Sequence, residues 1–132
     1  MTISLAALFG ALLLVAFAVF HAALALGAPL GAFAWGGDHE GVLPARLRQG
    51  STLLAPIVAA MAVVVLIRGG WLYPDEARSM TIPVWAIFVF LVLQLSGALR
   101  SHSRGERRLM GPLYGLTVAL LAYVSFGGGQ IG

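Results

Sequence analysis

The chain has 132 residues, 60% of them hydrophobic and only 10% charged, with no cysteine and a formal net charge of +3. A soluble domain carries about 25% charged residues, so this composition cannot cover a water-facing surface, and residues 1–132 read as a single transmembrane domain. The basic residues are all arginines in short loops, with no basic stripe interleaved with aromatics, which argues against nucleic acid and for lipid headgroups, while the lack of cysteine excludes disulfides, thiol catalysis and thiolate metal sites.

The apolar run over residues 3–27 is long enough to cross the hydrocarbon, which takes about 20 residues. It exceeds the apolar region of a secretory signal and no basic residue precedes it, so it is read as a retained helix. Ser4 and His21 are its polar members, and Gly27, Pro29 and Gly31 end it. Residues 28–51 are the long polar interruption of the chain. There Trp35, Gly36, Gly37 and Asp38 suggest a turn beside an interfacial aromatic, and Pro44 the start of a short headgroup-level helix through Arg48. A second crossing is expected over residues 52–73, with Ser51 or Thr52 as N-cap and Pro56 in or near the first turn. Arg68, Trp71 and Tyr73 form its interfacial collar, with Arg68 snorkelling to the headgroups.

After a turn at Pro74, Asp75 and Glu76, the third crossing is expected over residues 82–99, with Gln94 and Ser96 as its strongly polar members. Residues 100–108 are the most charged stretch. The fourth crossing covers residues 109–126, and the tail GGGQIG is expected to be flexible. Gly111, Gly115 and Ala119 recur every four residues, a helix-packing face that permits close approach of another helix.

Four crossings place both termini on one side. The loops 28–51 and 100–108 carry Arg46, Arg48, Arg100, Arg104, Arg107 and Arg108, against Arg68 and Arg78 opposite. Positive charge favours the cytoplasm, so these are the inner loops and both termini lie outside. The expected fold is an all-α membrane protein, an antiparallel bundle of four transmembrane helices with left-handed crossings.

Three constellations follow from that threading. His21, His39 and His102 fall on the cytoplasmic side and are weak candidates for a metal, lacking any His-x3-His or HExxH spacing. His21 lies inside a crossing and is read chiefly as a neutral imidazole bonded to a neighbouring helix, with a proton relay or haem ligand as alternatives. His21, Gln94, Ser96, Tyr114 and Thr117 can line a polar cavity open to the inner loops. Arg100, Arg104, Arg107 and Arg108, with Glu106 among them, form a candidate anionic-lipid patch or simply set topology. Asp38 and Glu40 can pair with it and close the first inner loop onto the second. No acid is placed inside any crossing, which weighs against a proton-coupled antiporter. No nucleophile–base pair or nucleotide loop is visible.

The residues Gly27, Ala28, Pro29, Gly31, Trp35, Gly36, Gly37, Gly41, Leu43, Pro44, Leu47, Arg48, Gly50 and Ser51, with Ser101, Ser103, Glu106, Arg107, Arg108, Gly111 and Pro112, resemble a pattern of small four-helix bacterial integral membrane proteins of uncharacterised function. The resemblance implies a fold and a location in the bacterial inner membrane; it implies no activity, cofactor or catalytic residue. The expected function is accordingly that of a non-catalytic membrane protein, an accessory subunit of a membrane complex or a homo-oligomer, with the bilayer, other membrane subunits or itself, and an anionic lipid as partners. The alternatives are a small transporter or channel using the polar cavity, and a protein binding a lipid-phase ligand, metal or haem. No cofactor is assigned.

Overall fold

Runs rich in leucine, alanine and valine give four long helices, because in each the backbone satisfies its own hydrogen bonds whatever surrounds it. The structure, a computed structural model, describes residues 2–127; most of the glycine-rich tail expected to be flexible, from residue 128 on, lies outside the described residues. Helix α1 is Ile3–Ala25, α2 is Ala45–Arg68, α3 is Thr81–Leu99 and α4 is Gly111–Phe126, the last led in by a π-helical turn, Glu106–Met110. The described regular structure is entirely helical, and four helices are long and apolar enough to cross a membrane.

The inward side of α1 is mostly small: Ala6, Ala7, Gly10, Ala11 and Ala18 are buried together with Leu14 and Phe17. This lets its neighbours come close. A Cβ on Gly69 would stand 2.4 Å from the Ala7 Cβ, and one on Gly10 2.9 Å from Leu121 Cδ2. The outward side of α1, Leu5, Phe9, Leu12, Val15 and Val19, is exposed and equally apolar. A helix that is apolar all round has no face suited to water.

Hydrogen bonds fix which ends meet. Ser4 Oγ donates to the Gly69 carbonyl at 2.8 Å, and the Trp71 indole N–H donates to the Ser4 carbonyl at 2.7 Å, so the start of α1 lies against the end of α2. At the other end Arg48 Nε donates to the Ala25 carbonyl at 3.4 Å, serving one of the carbonyls that a helix C-terminus leaves open. The start of α3 meets the end of α4 through Trp85 and Phe126, whose rings stand edge-on at 4.9 Å.

Helix α2 departs from the sequence expectation at both ends. It runs unbroken from Ala45, directly after Pro44, so the expected headgroup helix and second crossing are one element. Ala45, Arg46, Leu47, Arg48 and Gln49 are strong helix formers, and Leu47 packs on the small cluster of Leu24, Ala34 and Leu43. Ser51 is therefore wholly buried inside the helix rather than capping it, and Pro56 lies well within it rather than in its first turn. The helix ends at Arg68, short of Trp71 and Tyr73. Arg68 does not snorkel: it is 2% exposed, and its Nη1 has no hydrogen-bond partner among the described residues.

The small-residue face of α4 is used only at its beginning. A Cβ on Gly111 would lie 3.2 Å from Leu99 Cδ2, one on Gly115 4.0 Å from Leu95 Cδ1, and Ala119 is exposed. Gly69→Ala, whose new methyl collides with Ala7, is expected to cost about 1–3 kcal/mol, whereas Gly115→Ala, which finds ordinary contact distance, should be neutral or gain up to about 1 kcal/mol of helix propensity. Thermal unfolding of the two variants in the same detergent checks the contrast; equal melting shifts would contradict the close α1–α2 approach.

Candidate functional site

The segment between α1 and α2 is built rather than slack. Gly31 donates its N–H to the Gly41 carbonyl at 2.8 Å, and a Cβ there would stand 2.2 Å from the His39 carbonyl oxygen, so only glycine fits. Two single 3-10 turns, Gly31–Phe33 and Trp35–Gly37, follow. Trp35 adopts a left-handed conformation, φ 55°, which non-glycine residues seldom take. That turn lays its ring over Gly50, where a Cβ would come within 2.9 Å of it.

The strain brings the indole to Ser51. Trp35 Nε1 donates to Ser51 Oγ at 3.0 Å, and His21 Nδ1 lies 3.3 Å from the same oxygen. The His21 and Trp35 rings meet edge-on, centroids 6.4 Å apart. A serine hydroxyl has one proton and two lone pairs. With one lone pair given to the indole, it can still donate to an unprotonated Nδ1 or accept from a protonated one.

The same segment docks on the segment between α3 and α4. The His102 N–H donates to the Gly36 carbonyl at 3.0 Å, and His102 Nδ1 lies 2.6 Å from Asp38 Oδ1. A Cβ on Gly37 would strike Ser103. Asp38 thus closes loop on loop, as the sequence suggested, but through a histidine rather than the arginines, and Glu40 is exposed. The arginine patch is divided: Arg100 Nε donates to the Ser96 carbonyl and Arg107 Nη1 to the Ser101 carbonyl, leaving Arg104 and Arg108 exposed.

Beneath the docked loops lies a cavity of about 200 Å³. His21 of α1, Trp35 of the loop, Gln94 of α3, Glu106 of the π turn and Tyr114 of α4 supply its polar groups, with Leu54, Leu93, Gly97 and Ala98 among its apolar walls. Of the five residues expected to line a polar cavity, the structure brings together His21, Gln94 and Tyr114. Ser96 does not reach it, and Thr117, fully buried, spends its hydroxyl on the Leu113 carbonyl at 2.8 Å. The histidines do not converge. His21 faces the cavity, His102 holds Asp38, His39 stays in the loop, and no group of three His, Asp or Glu side chains forms among the described residues.

Glu106 is the residue the sequence reading missed. It sits in the arginine-rich stretch, yet it is buried, 6% exposed, and lines the cavity. Glu106 opens the fourth membrane-length segment, Glu106–Phe126, whereas the sequence reading begins that crossing at residue 109 and keeps the acid in the loop. Its carboxylate lies by the Ser101 hydroxyl and the Gly36 N–H, and its Oε1 has no hydrogen-bond partner among the described residues. The π turn gives Glu106 its inward aim, and such turns recur at functional sites. Phe33, against which a Cβ on Gly105 would stand at 2.8 Å, packs beside it. A useful signal was available: a lone acid five residues before Gly111, close enough to the Gly111-Pro112 helix start to belong to its lead-in.

The chain matches no family model, and no curated protein and no solved structure shows detectable similarity to it.

Ser51→Ala removes the hydroxyl shared by the Trp35 indole and His21 and should cost about 0.5–1.5 kcal/mol, seen as a lower melting temperature with altered tryptophan emission. Asp38→Ala should speed hydrogen exchange at the His102 amide, whereas Glu40→Ala should leave it unchanged; the opposite order would remove the Asp38–His102 contact as the tie between the loops.

Proposed function

We propose that the chain is a non-catalytic multi-pass membrane protein that binds a small amphipathic molecule at the cytoplasmic boundary of the bilayer. Its four helices cross as an antiparallel bundle, with the loops around Trp35 and His102 inside and both termini outside. The apolar outward face of α1 and the gathering of six arginines at the loop end support that threading. The observation that carries the binding role is the cavity beneath those loops, where Glu106, Gln94, Tyr114 and His21 converge.

Its position favours a molecule from the lipid phase. Leu93, 65% exposed, and Gly97, also exposed, form its rim on α3, facing Leu54 of α2. The cavity therefore opens sideways between α2 and α3, roughly 8 Å from the inner end of α3 at 1.5 Å per residue. Its volume falls below the ~300–1,000 Å³ of pockets for drug-sized ligands, which suits a compact head group. Binding is favoured over conduction. Deeper in the bundle, among Leu14, Phe17, Val58 and Leu91, the space narrows to a void of about 10 Å³.

A second reading, an accessory subunit or homo-oligomer, draws on the outer side of α1 and α4. Phe9, Leu12, Leu13, Leu116 and Leu120 line an apolar groove of about 350 Å³ there, wide enough for the side chains of another helix.

Native mass spectrometry of protein extracted into lipid nanodiscs tests both readings. A retained small-molecule mass that is lost in Gln94→Leu supports the binding role. Foreign subunits, with no small molecule, would replace it with the accessory role. For the threading, a thiol-reactive, membrane-impermeant reagent should label a cysteine placed at Glu40 only from the cytoplasmic side and one placed at Asp75 only from outside; reversed labelling would invert the topology.

A further inference from the structure

Every polar group around the cavity can be asked what it still lacks. Trp35 has spent its donor on Ser51. His21 has one ring nitrogen engaged there. Gln94 and Tyr114 make no hydrogen bond to other described residues, and the Tyr114 ring is held flat against Phe17, centroids 4.5 Å apart, so its hydroxyl is fixed in place. Glu106 Oε1 is buried and unpartnered. The vacant capacity includes three acceptors, a carboxylate oxygen, an amide carbonyl and a phenol oxygen, beside the Gln94 N–H groups and the Tyr114 O–H, and of these groups only Glu106 can carry a full negative charge at neutral pH.

The charges narrow the choice further. Among the described residues no guanidinium pairs with Glu106: Arg107 and Arg100 serve backbone carbonyls, Arg104 and Arg108 face outward, and Arg68 lies at the far end of α2. A buried carboxylate is stable only when paired or fully hydrogen-bonded, and an anionic ligand would meet it as a like charge. A hard metal cation wants six or more oxygen ligands, and the site offers one carboxylate. An organic cation needs fewer. Its N–H groups suit the three acceptors, and an alkyl part suits Leu54, Leu93 and Ala98 on the open side.

We infer that the cavity takes a small amphipathic amine, its ammonium N–H groups received by Glu106 Oε1, the Gln94 carbonyl and the Tyr114 hydroxyl, and its alkyl chain leaving between α2 and α3. This rests on the proposed binding role and names its ligand class. The charged head would sit at the depth of the lipid headgroup boundary, where a membrane-dissolved amine already places its nitrogen, so capture needs only a sideways step.

The test is calorimetric titration of the protein in nanodiscs, with empty nanodiscs subtracted, using straight-chain ammonium ions from methyl to hexyl and the alcohols and carboxylates of equal length. Some member of the ammonium series should bind at least tenfold more tightly than its alcohol, and the carboxylates not at all. Glu106→Gln should remove that tenfold preference while leaving alcohol binding in place, and Glu106→Asp should retain part of it. The wild-type comparison needs no variant, so a Glu106→Gln protein that fails to fold still leaves the answer readable. Alcohols or carboxylates binding as well as ammonium ions would overturn the amine assignment with the binding role intact. If no member of the three series binds, both fall.

Discussion

Ser51 Oγ is the atom on which the looped end of the bundle closes. It is wholly buried, and it receives Trp35 from the loop while facing His21 from α1. In apolar surroundings a polar side chain has few partners and no water, so each available contact carries more structural consequence than it would at a wet surface. Three elements that share no sequence proximity are thereby tied at one point: the middle of α2's first turns, the last turns of α1 and the strained turn at Trp35. The opposite end of the same helix pair uses the same logic with other groups, Ser4, Gly69 and Trp71. Between the two ties, small residues on α1 allow the helices to lie close enough for both to form.

Against that background the two charged groups left without full partners stand apart. Most buried polar groups in folded proteins are hydrogen-bonded, and an exception asks for a reason. Arg68 and Glu106 sit at opposite ends of the bundle and each has one atom unserved among the described residues. Of the two, Glu106 lines the cavity beneath the docked loops, and Arg68 does not. The difference is why Glu106 is given a binding role and Arg68 none.

How much of this was legible in the sequence divides along physical lines. Helix existence was legible, since an unbroken apolar run of membrane length has few alternatives. The boundaries of α2 were less so: Pro56 and the Ser51-Thr52 pair looked like start signals, but the local signal at Pro44 together with the good helix formers after it won, and Leu47 found packing that no local rule contains. His21, Gln94 and Tyr114 were recognisable because a polar residue in an apolar run has to face something. Glu106 was hidden by its company. Four arginines around it made a solvated loop the natural reading, and nothing local reveals that a π turn rotates one residue of that stretch inward. Loop closure was foreseen in kind but assigned to arginines, because charge is visible in a sequence and the approach permitted by Gly37 is not.

The place of the cavity follows from how the helices share their contacts. Helix α1 packs closely along α2, aided by Gly69, and against α4, aided by Gly10. Helix α3 leans chiefly on α4 and touches α2 far less. A bundle with one loose seam keeps its gap there, while at the end away from the docked loops Trp85, Phe88 and Phe126 join α3 to α4 with rings. Beneath the docked loops the positions on α3 are Gln94, Gly97 and Ala98, two of which have almost no side chain. The docked loop roofs the space without filling it, because Gly36 brings backbone rather than a side chain to Glu106. The seam between α2 and α3 is thus left open beneath the docked loops by small residues, and a polar chamber forms there.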